Sequence, residues 1–200
     1  MSVDGHCRYQ SREILMRAVV VYESMSGNAH QIATAIGDGI TEVMPVTVTS
    51  VTDATASVLA GVDVIVAGGP TQLHSISLTR THEGARKTSA DSDGGLRLDG
   101  DAARIGVREW LQALPTTHAM AAAFDTRTGI PRTISDAASG LIDHALRRRG
   151  LRVVTAPMSF LADNSNHLGS SELARARAWG IDIAHDAMST DAADTNAARR

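Results

Sequence analysis

The chain has 200 residues, 43 % hydrophobic but only 3 % aromatic, which suits one α/β domain with a core of Val, Ile, Leu and Ala. Its net charge of −3 argues against nucleic acid as a main partner. The single cysteine, Cys7, excludes an internal disulfide and any paired-cysteine metal or redox motif, and it points to a reducing compartment.

Residues 1–16 are polar and irregular and read as a loose extension without the apolar segment of a signal peptide. No stretch approaches the roughly 18–20 apolar residues of a membrane span, so a cytoplasmic location is expected. Strand 1 is Ala18 to Tyr22, a continuous apolar run of the kind buried on both faces. A helix is predicted over Asn28–Val43, with Ile32, Ala33, Ile36 and Ile40 at helical spacing. Pro45 breaks it, and Val46, Val48 and Val51 mark strand 2. Asp53 caps a short helix through Leu59, and Asp63 to Ala67 is strand 3, which ends in Gly68-Gly69-Pro70-Thr71.

Residues 75–104 lack periodicity and read as a long loop with some helix near its ends. Val107 to Leu114 is a short helix stopped by Pro115. Ala119 to Phe124 is strand 4, Thr126 to Pro131 a turn, and Ile134 to Arg149 a helix ended by Gly150. Arg147, Arg148 and Arg149 sit at its C-terminus, where cations oppose the negative end of the dipole. Val153 to Phe160 is strand 5. A last helix runs from Ser170 or Ser171 to Met188, and residues 189–200 read as a disordered tail. Five strands alternating with helices predict one domain over residues 17–188, a parallel sheet covered on both faces.

In an open parallel sheet, ligands bind beyond the carboxyl ends of the strands. That rule selects residues 23–28, 68–74 and 125–130, all rich in Gly, Ser, Thr, Pro or Asn. The first segment leads straight into a helix, whose N-terminus attracts anions. Ser24 and Ser26 add hydroxyls, Gly27 admits a close backbone approach, and Asn28 tolerates a left-handed conformation. No lysine follows the glycine, so this is not the nucleoside-triphosphate loop, and it is not G-x-G-x-x-G. Neutral donors of this kind suit a phosphate monoester.

The run Val20-Val21-Tyr22-Glu23-Ser24-Met25-Ser26-Gly27-Asn28 resembles the phosphate-binding signature of the flavodoxin family, and Gly68-Gly69-Pro70-Thr71 resembles that family's Gly-Ser-Pro-Thr turn. The resemblance implies a flavodoxin-like three-layer sandwich whose five-stranded parallel sheet has the order 2-1-3-4-5. It implies FMN as cofactor, with Ser24, Met25, Ser26, Gly27, Asn28 and Ala29 around the phosphate. Pro70, Thr71, Gln72, Leu73 and His74 on one side, and Asp125, Thr126, Arg127, Thr128 and Gly129 on the other, would flank the ring system. Ala29 stands where the family carries Thr, and neither flanking segment has a Trp or Tyr. The implied activity is electron transfer with a redox partner protein. Two alternatives stay open: an FMN-dependent NAD(P)H:quinone oxidoreductase, and a flavin-free interaction module on the same scaffold. His30 and His144 read as surface or packing residues. Asp182, His185 and Asp186 share a helical face, and no metal is assigned to them.

Overall fold

The computed structural model describes residues 16–24, 27–71, 106–128, 138–163, 165 and 167–199. Its strands are β1 (Ala18–Tyr22), β2 (Val46–Ser50), β3 (Val64–Pro70), β4 (Met120–Thr128), β5 (Arg152–Val153) and β6 (Met158–Ala162). Its helices are α1 (Asn28–Thr41), α2 (Ala56–Leu59), α3 (Val107–Ala113), α4 (Ala138–Arg148) and α5 (Ser170–Ala198).

All strand pairs are parallel, in the order β2-β1-β3-β4-β5, with β6 also on β4. The predicted order of five strands is observed. The predicted fifth strand is split in two. β5 pairs with Met120 and Ala121, while β6 pairs with Phe124 to Thr128 further along the same edge. Pro157 lies between them and has no N–H to offer the ladder.

The apolar strands alternate their side chains between two cores. Val20, Val64, Val66, Ala122 and Phe124 face α1 and α5, together with Ile32, Ile36, Trp179 and Ile183. Val19, Val21, Ile65, Ala67, Ala121 and Ala123 face the other way, against Trp110, Leu111, Ile142 and Leu146 of α3 and α4. Period-two alternation of uniformly apolar strands requires helices on both faces. Three aromatics meet on the α5 side, while Trp110 lies in the opposite core. Phe160 stands edge-on to Phe124 at 6.4 Å and to Trp179 at 6.1 Å, with the Arg175 guanidinium 4.6 Å above its ring.

The α1–α5 crossing is close because both helices present glycine there. A Cβ at Gly39 would overlap the Arg177 carbonyl, and one at Gly180 would overlap the Ile36 carbonyl. At the start of α5, Glu172 accepts from the Leu161 N–H at 2.8 Å and pairs with Arg175, whose guanidinium also donates to the Ser159 carbonyl at 2.6 Å. These bonds tie α5 to the edge strand β6. Burial alone would raise the Glu172 carboxyl, but the Arg175 hydrogen bond, the Leu161 N–H and the Arg175 charge together hold it below its ordinary value.

The structure corrects two boundaries predicted from the sequence. β4 runs through Thr128, so Thr126 to Thr128 are strand and not turn. The last helix continues to Ala198, so residues 189–198 are helical where a disordered tail was expected. That stretch has no Gly or Pro, several Ala, and Asp194 paired with Arg152 of β5 at 2.7 Å.

Gly180→Ala should destabilise the fold by about 1–3 kcal/mol in urea unfolding, through its clash with backbone. Gly140→Ala, on α4 with nothing within 4 Å of the added Cβ, should be neutral or stabilising by up to about 1 kcal/mol. Because the folded Glu172 carboxyl is lowered, its contribution is present above the unfolded value near 4.5 and is lost as the pH falls through the folded one. Urea midpoints measured between about pH 3 and 6 should therefore fall less steeply on acidification in Glu172→Gln than in the unaltered protein.

Candidate functional site

β1 delivers Glu23 and Ser24 to the carboxyl edge of the sheet, and α1 departs from the same edge. The reversal passes through Gly27, the residue before the helix, whose φ of 86° is left-handed. The Gly27 N–H donates to Ser24 Oγ at 3.0 Å, which closes the turn on itself. The Gln31 N–H then returns to the Gly27 carbonyl at 3.0 Å and starts the helix. Among the described residues, no side-chain hydrogen bond caps α1 at Gly27, and no acidic residue occupies its first turn. A Cβ on Gly27 would meet no atom within 4 Å. The positive end of a fourteen-residue helix therefore faces this edge, with no side-chain cap among the described residues. Tyr22 and His30 stack across the reversal, ring centroids 4.9 Å apart and planes 13° from parallel. Their contact joins the end of β1 to the first turn of α1.

A row of four residues crosses the sheet beside this turn. Tyr22 is in register with Gly68, so Glu23 lies level with Gly69, which pairs with Asp125, which pairs with Ser159. Glu23 and Asp125 are both buried, at 2 % and 0 % exposed. Each holds the start of a helix on the same face of the sheet. Glu23 Oε2 accepts from the Val107 N–H of α3 at 2.8 Å, and Asp125 Oδ2 accepts from the Ser139 N–H of α4 at 2.8 Å. Buried carboxylates are costly unless hydrogen-bonded, and the positive helix ends offset part of that cost. Gly69 separates them, and a Cβ there would stand 3.2 Å from Glu23 Cβ. Gly68 serves the opposite face, where its missing Cβ leaves room for the Phe124 ring.

Of the residues expected at the site, Ser24, Gly27, Asn28 and Ala29 come together at the β1–α1 turn, and Ser24, Asn28 and Ala29 are buried there. Pro70 ends β3 beside Thr126, and just past it the Thr71 N–H donates to the Thr126 carbonyl at 2.8 Å. Arg127 and Thr128 follow on β4, half-buried and exposed. Asp125 is a correction. It belongs to β4 and not to a loop, its carboxylate is turned onto α4, and it is fully buried. Met25, Ser26, Gln72, Leu73, His74 and Gly129 lie outside the described residues. Among the described residues, no three His, Cys, Asp or Glu side chains gather as a metal site, and no helix is long and apolar enough to cross a membrane. His30 is an exposed helix residue, as expected, but engaged with Tyr22.

Sequence reasoning missed Glu23 as a structural residue. The signal was present: Glu23 continues the alternation Val19, Val21, so an acid stands where a buried side chain belongs. Glu23→Ala should destabilise by about 1–3 kcal/mol, the penalty of a buried N–H left unpaired, and Glu23→Gln, which keeps an acceptor, by less. Urea unfolding of both variants reads the difference.

No protein-family model and no curated protein matches the chain. Solved structures do. A flavodoxin from the domain Archaea is 24 % identical, with a TM-score of 0.59 over 86 % of this chain and 99 % of that one. Flavodoxin 2 from Bacillus cereus is 17 % identical, with a TM-score of 0.58 over 84 % and 98 %. A WrbA-like flavodoxin from Agrobacterium tumefaciens is 18 % identical, with a TM-score of 0.54 over 87 % and 98 %. These likenesses span nearly the whole length of each neighbour and agree with the strand order and the two strand-end motifs: the chain has the flavodoxin-like fold.

Proposed function

We propose that the chain binds FMN by its 5′-phosphate at the N-terminus of α1 and transfers electrons to or from a redox partner protein. The observation that carries the reading is the uncapped helix behind a left-handed glycine at the carboxyl edge of β1. A phosphate monoester supplies the negative charge and acceptor oxygens that such an end lacks. Ser24, Gly27, Asn28 and Ala29 would hold it, together with Met25 and Ser26. Ala29 brings no hydroxyl, which weakens the phosphate site by on the order of 1 kcal/mol and leaves the backbone donors in place. Pro70, Thr71 and Thr126 form one wall through the bond between β3 and β4. With Gln72, Leu73, His74, Arg127, Thr128 and Gly129 they would border the ring. Asp125 would act from behind, by fixing α4. When bound, the flavin supplies the redox chemistry, and the chain orients it and sets its exposure.

The test is a titration of purified protein with FMN, followed by flavin fluorescence and thermal melting. FMN at about 100 times its dissociation constant should stabilise the fold by about 2.7 kcal/mol. Gly27→Asp is the informative variant. Its side chain enters open space and Asp tolerates a left-handed backbone, so the fold should persist. Its carboxylate would face the phosphate, so FMN affinity should fall by at least about tenfold. Absence of FMN binding in the unaltered protein would overturn the proposal. Oxidation of NAD(P)H with a quinone acceptor would make the bound flavin that of an oxidoreductase in place of a carrier.

A further inference from the structure

α3 and α4 lie side by side on one face of the sheet and leave an open groove of about 650 Å³ between them. Each helix offers it one stripe. On α3 these are Arg108 and Leu111, at i and i+3; on α4 they are Leu141, His144, Ala145 and Arg148, at i, i+3, i+4 and i+7. Arg149 closes one end, donating to the Leu114 carbonyl just past α3. The floor is aliphatic, and Leu141 is 41 % exposed. Among the described residues, no carboxylate lines the groove, although the chain as a whole carries a net charge of −3. Elsewhere on the surface Arg147, Arg152, Arg175 and Arg177 each pair with a carboxylate. Among the described residues, Arg108 and Arg148 have none. The arginine run at the end of α4 is thus divided: Arg147 turns to Asp143, Arg149 to Leu114, and Arg148 to the groove.

The spacing of the cations selects the occupant. Arg108 lies in the first turn of α3, and Arg149 is anchored at Leu114, six residues on, which is about 9 Å along the helix axis. A single phosphate does not span that distance. Two carboxylates at i and i+7 of a helix do, about 10 Å apart on one face, with positions i+3 and i+4 between them over the aliphatic floor. A nucleic acid has the charge but no apolar row to lay on Leu111, Leu141 and Ala145. We propose that the α3–α4 groove docks an acidic amphipathic helix of a partner protein, with carboxylates at its two ends and aliphatic side chains between. This site is separate from the β1–α1 turn and does not depend on bound flavin.

The probe is a fluorescein-labelled, helix-stapled peptide of about 14 residues, with Glu at i and i+7 and Leu at i+3 and i+4. Fluorescence anisotropy with the full chain should show saturable binding, with or without FMN. Binding should weaken at least about tenfold in Arg108→Glu/Arg148→Glu, and again at about 0.5 M salt. Leu141→Asp should weaken it similarly by spoiling the floor, and thermal melting should show both exposed-site variants folded. A twin with Lys in place of Glu should not bind. The proposal is overturned if the acidic peptide fails to bind at about 1 mM, a typical limit for a weak specific complex. It is overturned equally if the charge-reversed variant or the Lys twin binds as well, or if phosphatidylglycerol vesicles bind through Arg108 and Arg148 while the peptide does not.

Discussion

The carboxyl edge of this sheet depends on one backbone reversal. Between Tyr22 and Asn28 the chain must leave a fully buried strand and start a fully engaged helix within five residues, and it does so by placing Gly27 at a φ of 86°. An L-residue with a Cβ adopts that region at a cost of about 1–2 kcal/mol. The reversal aims the positive end of α1 at the one edge where the loops of a parallel sheet converge. Ser24 accepts the Gly27 N–H and shapes the turn, so its oxygen is not spent as a helix cap. Tyr22 and His30 hold the two limbs together from outside. The turn is closed by Ser24 and the stacked rings, without a side-chain cap on the helix end among the described residues.

The next layer of support is the row Glu23, Gly69, Asp125. Two carboxylates are buried one strand apart from a glycine, and each fixes the first turn of a helix on the α3–α4 face. The row directly precedes, on each strand, a residue proposed to border the flavin. Glu23 precedes Ser24, Gly69 precedes Pro70 and Asp125 precedes Thr126. Glu23 and Asp125 thus anchor α3 and α4, and Ser24 and Thr126, which follow them, turn to the other side of their strands. The alternation of a β-strand makes this division automatic, because consecutive side chains point to opposite faces. The same helices, held at their N-termini by the row, display the basic groove on their outer surface.

Much of this was legible in the sequence for physical reasons. Ala18–Val21 and Val64–Ala67 are apolar at every position, which only a strand covered on both faces tolerates, and that pointed to a parallel sheet. The β1–α1 turn was legible because Gly27 and Asn28 mark a left-handed break just where an amphipathic helix begins. Less was legible where side chains act at long range. Glu23 and Asp125 looked like loop residues, since the bonds that justify their burial go to Val107 and Ser139, 84 and 14 positions away. Strand 4 was cut short at Phe124 because Asp125 is disfavoured in strands and Gly129 and Pro131 mark a turn, although pairing with β3 and β6 carries Asp125 to Thr128 into the sheet. The helix beyond Met188 was missed because its polar face pattern resembles a tail, and its ion pair to Arg152 is invisible to periodicity.

The central claim is that the end of α1 holds a phosphate. The most direct measurement is the affinity of the purified protein for FMN against that for riboflavin, which has the same ring and lacks the phosphate. Two hydrogen bonds to a charged group at about 1.5–3 kcal/mol each predict that FMN binds at least about 100-fold more tightly. Equal affinity for the two would contradict the account, because the flavin would then be held by its ring alone and the uncapped helix would have no part in binding it.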